Sequence, residues 1–92
     1  MSSNNNTVFI GKKPLMTYVT SAIVQLASLP SITLKARGQT IVTAVNVAQI
    51  IIKKTDAFEI GQIKISSESL ESSDGRKRDV STIEIPVSKM GQ

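Results

Sequence analysis

The apolar residues of this 92-residue chain follow two different spacings, and the order in which these spacings alternate restricts its fold more than any other feature. Residues 32–37 alternate apolar with polar side chains, which is typical of a strand with one buried face. Residues 15–26 and 41–54 instead carry apolar side chains at helical spacing. The β-branched segments 7–10 and 80–87 predict two further strands, one near each end of the chain.

A hairpin is predicted in the last third of the chain. Ile63 and Ile65 open its first strand, and the Ser-Asp-Gly sequence at 73–75 is a turn signal. Residues 56–61 are interpreted as a connection. The resulting order is β-α-β-α-β-β, which predicts an α+β two-layer sandwich with two helices on one face of a four-stranded mixed sheet.

The size and composition of the chain limit what such a domain can do. A chain of 9.9 kDa buries about 64% of its surface on folding, which is enough for one modest core. We therefore expect a single domain over residues 7–92, preceded by a disordered polar tail over residues 1–6. No apolar run approaches the ~20 residues of a membrane span, which favours a cytoplasmic protein with no membrane partner.

Cysteine and histidine, two residue types with much catalytic and metal-binding chemistry, are both missing from the chain. Without cysteine there is no thiol nucleophile or thiolate metal site, and without histidine the commonest general base and metal ligand are lost. The carboxylates show no paired catalytic spacing, and no glycine-rich phosphate-binding motif occurs. We predict a protein that is not an enzyme and that uses no metal, cofactor or small-molecule substrate.

The second helical segment carries more apolar surface than one sheet can cover. Ile50, Ile51 and Ile52 are consecutive, and at ~100° per residue they span about 200° of the helix circumference. At least one of them must therefore face away from the sheet. Together with the nearby Phe58, this surplus predicts a homodimer, whose interface we assign to Ile50, Ile51 and Phe58.

The positive charge of the chain is concentrated at connections between the predicted elements. Eleven lysines and arginines against seven acidic residues give a net charge of +4, which favours a polyanionic partner. The cations at connections fall into three groups, one after each of the first three strands: Lys12 and Lys13, then Arg37, then Arg76, Lys77 and Arg78.

The predicted topology brings these three groups to one edge of the sheet. A right-handed β-α-β unit makes the first two strands parallel, so both strand-to-helix junctions open on the same edge. Each junction also delivers a helix N-terminus, whose free N–H groups and dipole attract anions. If the third strand runs parallel to the first two, the hairpin emerges at that edge as well. We therefore predict a positively charged edge that binds nucleic acid.

The kind of nucleic acid is narrowed by the aromatic content, which is only 3%. Single-strand binders usually stack bases on several aromatic side chains. A sequence-tolerant duplex binder needs only cations and backbone amides, and a basic hairpin can enter a minor groove. Double-stranded DNA is therefore the favoured partner.

Three motifs of the chain together resemble the Alba family of archaeal chromatin proteins. They are Ile-Gly-Lys-Lys-Pro at 10–14, Lys-Ala-Arg-Gly at 35–38 and Val-Ser-Thr-Ile-Glu-Ile at 80–85. The resemblance extends over residues 7–89. It implies the β-α-β-α-β-β fold with an extended hairpin at about 70–80, a homodimer, and largely sequence-independent binding of DNA and RNA.

The resemblance also implies roles for particular residues. Lys12 and Lys13 would lie in the nucleic-acid-contacting loop, with Lys12 as an acetylation candidate, and the hairpin would reach along the minor groove. Many members carry a second arginine shortly after the Arg-Gly pair, where this chain has Gln39. This difference implies a weaker contact at the centre of the binding surface.

The sequence favours one function and leaves two alternatives open. The favoured function is that of a chromosome-associated homodimer that binds double-stranded DNA without sequence specificity, and that compacts and protects it. The sequence leaves open whether such dimers assemble further along the DNA. The first alternative is an RNA-binding protein, either an RNA chaperone or a subunit of an RNA-processing particle. The second is a protein-interaction module whose basic edge docks an acidic partner.

Overall fold

A computed structural model describes residues 6–90 of the chain. Residues 1–5 of the predicted tail, and the last two residues of the predicted domain, lie outside the described residues. Asn6 is the first described residue, and its carbonyl accepts a hydrogen bond of 2.7 Å from the Thr33 N–H. The elements are β1 (Thr7–Phe9), α1 (Leu15–Leu26), β2 (Ser31–Arg37), α2 (Thr40–Lys54), β3 (Phe58–Ile60), β4 (Lys64–Glu71) and β5 (Lys77–Lys89).

These strands form one mixed sheet built around β5. Strands β1 and β2 are parallel, and β2 pairs with β5 in antiparallel orientation. On the other edge of β5, β3 and β4 pair in succession, and both are antiparallel to it. Strands β1, β2, β3 and β4 therefore all run in the same direction, opposite to β5. The predicted α+β architecture with a mixed sheet is confirmed.

The sheet has five strands rather than the predicted four. The segment 56–61, which the sequence suggests is a connection, contains β3, whose residues Phe58–Ile60 pair with β5 from Lys89 to Val87. Three residues are too few to show a periodic pattern, so only the pairing reveals this strand. β5 itself begins at Lys77, three residues before the predicted start, because its charged first residues are held only by pairing with β4.

The core lies between the two helices and one face of the sheet. Alternate residues of the central strands are buried, including Ile32 and Leu34 in β2 and Ile85 and Val87 in β5. This alternation confirms which face of each predicted strand points to the core. The helices contribute Tyr18, Val19, Ala22 and Leu26 from α1, and Ala44, Val47, Ala48 and Ile51 from α2.

The burial of Ile51 corrects one sequence-based assignment. Ile51 is fully buried in the core of its own chain, so it has no surface to offer to a second copy. Ile50 and Phe58 are half-buried and pack against the same core. The apolar side chains of α2 that point to solvent are instead Val42 and Val45, which are 66% and 39% exposed.

The β4–β5 hairpin projects well beyond the rest of the sheet. Thr82 of β5 is level with both Arg37, the last residue of β2, and Ser66 of β4. β4 continues for five residues past Ser66, to Glu71, which at ~3.4 Å per residue carries the hairpin about 17 Å further. We call this projecting part, residues 67–81, the arm. It accounts for the elongated shape of the molecule, 48 × 28 × 23 Å.

Candidate nucleic-acid interface

Three connections emerge at the same edge of the sheet, because β1, β2 and β4 run in the same direction. They are the loop from β1 to α1, the turn from β2 to α2, and the arm. The third predicted strand thus runs in the same direction as the first two, which is the condition under which the sequence places the hairpin at this edge. We call this edge, with Lys12, Lys13, Arg37 and the arm, the basic edge.

The loop before α1 combines two free cations with an unneutralised helix N-terminus. Lys12 and Lys13 are both exposed, and Pro14 precedes the first helical residue with φ −55°. Pro14 offers no side-chain cap, and the first turn of α1 contains no acidic residue. The Thr17 N–H donates to the Pro14 carbonyl at 3.0 Å. The N–H groups that precede it in the first turn, together with the helix dipole, can face an anion beside the two ammonium groups.

A buried tyrosine holds the backbone of this loop. The Tyr18 hydroxyl oxygen accepts hydrogen bonds from the N–H of Gly11 at 2.8 Å and from the N–H of Lys13 at 2.9 Å. Sequence reasoning did not single out Tyr18. One signal was present: Tyr18 lies on the inward stripe of α1, and the hydroxyl of a buried tyrosine usually has a hydrogen-bond partner.

The turn before α2 has a similar arrangement, but its cation is already paired. Gly38 has φ +60°, a conformation that favours glycine, and α2 has no acidic residue in its first turn. The Arg37 guanidinium, however, lies 3.0 Å from the carboxylate of Glu68 at the base of the arm. The sequence predicts Arg37 as one of the cations that face the nucleic acid, and gives no sign of this ion pair. Its partner is 31 residues away, so no local pattern could reveal the pair.

The tip of the arm is a turn organised by Asp74. Its carboxylate accepts hydrogen bonds from the Ser72 hydroxyl and from the Arg76 N–H, and both lower the pKa of Asp74, with Ser72 the larger cause. The Arg76 side chain lies 3.6 Å from the same carboxylate. Asp74 therefore partly neutralises Arg76, the first of the three predicted cations of the arm.

The other two cations of the arm lie on opposite faces of the hairpin. In the register of the hairpin, Arg78 lies opposite Leu70, and Lys77 lies opposite Glu71. Because side chains alternate between the faces of a strand, Arg78 shares the face of the Arg37–Glu68 pair, and Lys77 points to the other side. The structure thus brings all six predicted cations to one edge but separates those of the arm. Within residues 6–90, four of them make no ion pair: Lys12, Lys13, Lys77 and Arg78.

A second exposed feature lies on the helix side of the sheet. Val42 and Val45 are three residues apart and share one face of α2. Ile65 of β4 is 79% exposed and pairs with the buried Ile83, which places it on the same side of the sheet as the helices. We call Val42, Val45 and Ile65 the exposed apolar surface.

Two other kinds of site were sought in the part of the chain that the structure describes. Over residues 6–90, no group of three or more acidic, histidine or cysteine side chains is placed to hold a metal ion. Over the same residues, neither helix is long and apolar enough to cross a bilayer.

Fold and site together define a small basic α+β domain with a projecting hairpin arm. The family model for Alba matches residues 6–67, and the chain belongs to the Alba family. A relative from Nitrosopumilus maritimus, named DNA/RNA-binding protein Alba, is 63% identical over 86 residues, which cover 91% of this chain and 90% of the relative.

Two solved structures share the fold. Alba from Thermoplasma volcanium matches with a TM-score of 0.83 and 39% identity, over 90% of this chain and 99% of that one. ALBA1 from Trypanosoma brucei matches with a TM-score of 0.76 over 96% of this chain and 72% of that one. At 23% identity, this second likeness concerns the fold alone.

Proposed function

We propose that the protein binds double-stranded DNA through its basic edge, without sequence specificity, as an architectural chromatin protein of the cytoplasm and chromosome. The observation that carries this proposal is the loop with Lys12 and Lys13, where two free cations lie beside an uncapped helix N-terminus. Phosphates are recognised by this combination irrespective of base sequence. The name of the Nitrosopumilus maritimus relative, which includes both DNA and RNA, agrees with the proposal.

A duplex fits the basic edge better than a single strand. Of the three aromatic residues, Tyr18 is buried and Phe58 is half-buried, which leaves Phe9 as the only strongly exposed ring in residues 6–90. One ring cannot stack a series of bases. The arm, by contrast, is a narrow two-stranded ribbon with Arg78 near its tip, and such a ribbon can follow a minor groove.

The proposal includes a homodimer that forms through the exposed apolar surface. Val42, Val45 and Ile65 are all exposed on the helix side of one chain, and burying them against a second copy would remove apolar area from water. Ile50 and Phe58, which are half-buried, stay in the proposed interface as the sequence assigns them, whereas the fully buried Ile51 does not. Dimerisation doubles the number of cations that one DNA duplex can contact.

The binding of duplex DNA should depend strongly on salt and weakly on sequence. If a dimer uses about half of its candidate cations, about six phosphates are neutralised, and log K falls against log salt with a slope of roughly −5. Fluorescence anisotropy with several unrelated duplexes at graded salt concentrations measures both properties. A slope near zero, or a strong preference for one short sequence, would contradict the proposal.

RNA is the second candidate, because the relative's name includes it. Competition for a labelled duplex by structured RNA and by an acidic polypeptide separates the three possible partners. Displacement by RNA at lower concentration than by unlabelled duplex would favour an RNA chaperone or RNA-processing role. Displacement by the acidic polypeptide at equal charge would favour a protein-interaction module.

The Arg37–Glu68 pair should limit the affinity for DNA. Glu68 neutralises Arg37 at the centre of the basic edge. Glu68→Gln is therefore expected to raise duplex affinity by up to about fivefold, in line with the ~0.2–1 kcal/mol of an exposed ion pair. Titration at fixed salt measures the change. Glu71→Gln is the matched control, because it removes the same charge from the same strand and leaves Arg37 paired. Equal gains for both variants would show that only net charge matters.

A further inference from the structure

We propose that Tyr18 is a positioning residue of the binding loop: its hydroxyl oxygen holds the backbone of Gly11 and Lys13 so that Lys12 and Lys13 face the nucleic acid. The inference rests on the proposed function, since it assigns a role within the same site. Tyr18 itself need not touch the ligand.

The hydrogen-bond geometry fixes the loop on both sides of Lys12. Gly11 precedes Lys12 and Lys13 follows it, and the N–H groups of both donate to the one Tyr18 oxygen, at 2.8 and 2.9 Å. A tyrosine hydroxyl can accept as well as donate hydrogen bonds, and here its oxygen accepts from two backbone N–H groups at once. The backbone from Gly11 to Lys13 therefore curves around the Tyr18 hydroxyl oxygen.

The position of the Tyr18 hydroxyl is itself fixed by packing in the core. Tyr18 is only 6% exposed and belongs to the buried cluster, so its ring cannot shift without disturbing the packing of α1. A Cβ atom at Gly11 would lie 3.3 Å from the Tyr18 oxygen, which shows how closely the loop approaches it. The lysine side chains do not contribute to this order, because Lys12 and Lys13 form no ion pair within residues 6–90.

An ordered loop binds an anion more tightly than a mobile one, because less conformational entropy is lost on binding. Without the Tyr18 oxygen, the Gly11 and Lys13 N–H groups would turn to water and the loop would sample other shapes. Phosphate binding would then have to restore the order. We expect Tyr18→Phe, which keeps the buried ring, to lower duplex affinity about five- to tenfold.

The experiment is a double-mutant cycle measured by duplex binding. Tyr18→Phe is compared in the wild-type background and in a background that carries both Lys12→Gln and Lys13→Gln. If Tyr18 acts through the lysines, its effect is lost in the second background. Thr20→Val is the matched control, because it removes an exposed hydroxyl from the same helix and should leave affinity unchanged.

Hydrogen exchange supplies a readout at the loop itself. The amides of Gly11 and Lys13 should lose protection in Tyr18→Phe, while amides in the middle of α1 keep theirs. Gly11→Ala is the second variant, for the case that Tyr18→Phe folds poorly. Its Cβ would lie 3.3 Å from the Tyr18 hydroxyl and crowd both hydrogen bonds while the hydroxyl itself stays intact, so we expect a smaller loss of duplex affinity in this variant.

Three results would overturn the inference. One is wild-type affinity in a folded Tyr18→Phe variant, and another is an equal loss of affinity in both backgrounds. In either case the proposed function stands, provided that the lysine variant binds weakly. The third is a wild-type protein that does not bind duplex DNA at all, which would overturn the proposed function together with the role of Tyr18.

Discussion

The double substitution of Lys12 and Lys13 by glutamine is expected to lower duplex DNA affinity about tenfold or more at moderate salt, and to leave the melting temperature unchanged. Both side chains are exposed and make no ion pair within the described residues, so folding does not depend on them. Glutamine also removes the charge that acetylation would remove from Lys12. In a dimer the change deletes four cations, so the salt slope should become shallower by up to about 3.6 units.

The matched control places the same charge change elsewhere. Lys53 and Lys54 are also adjacent, exposed lysines, but they lie in the last turn of α2 rather than on the basic edge. Replacing both by glutamine should change the salt slope little. If the two double variants weaken binding equally, the protein attracts DNA through net charge alone. If Lys12→Gln with Lys13→Gln leaves both affinity and slope unchanged, the loop is not part of the site.

Val45→Asp is expected to convert the dimer into a monomer at micromolar concentration. Val45 is partly exposed in the single chain, so a carboxylate there can remain hydrated in the monomer. In a dimer that buries the exposed apolar surface, the unpaired charge would cost several kcal/mol, enough to dissociate the two copies. Sedimentation equilibrium gives the mass, and circular dichroism checks that the chain is still folded.

Val24→Asp is the control for this change. Val24 is also an exposed helical valine, 65% accessible, but it belongs to α1 and lies outside the exposed apolar surface. It should leave the dimer intact. A wild-type protein that sediments as a monomer, or a Val45→Asp variant that stays dimeric, would show that the two copies do not associate through this surface.

Local periodicity was sufficient to predict most of the fold. The alternation around Ile32 and Leu34, and again around Ile85 and Val87, identified the buried face of each central strand, because side-chain direction in a strand depends only on residue parity. The three-residue strand β3 was missed, since it exists only through its pairing with the end of β5.

The arrangement of side chains in the candidate site was harder to predict from the sequence than the fold. Ile50, Ile51 and Ile52 look alike in the sequence, and only the docking angle of α2 decides that Ile51 is the one buried completely. The Arg37–Glu68 pair joins two strands that are distant in the chain, so its cancelled charge could not be anticipated. Which of Lys77 and Arg78 shares a face with the Arg37–Glu68 pair could be decided only from the register of the hairpin.

The unbroken course of β5 through the body and the arm gives the molecule a fixed reach. Its 13 residues pair with β2 in the body and with β4 from the body into the arm, so the two parts share one continuous strand. A reach of about 17 Å corresponds to about five base pairs at 3.4 Å per step along each strand of a duplex. In the proposed mode of binding, the length of duplex that the arm can follow is therefore set by the number of paired residues in the hairpin. Evolution could adjust it in steps of two residues per strand, each step adding about two base pairs without turning any side chain to the opposite face.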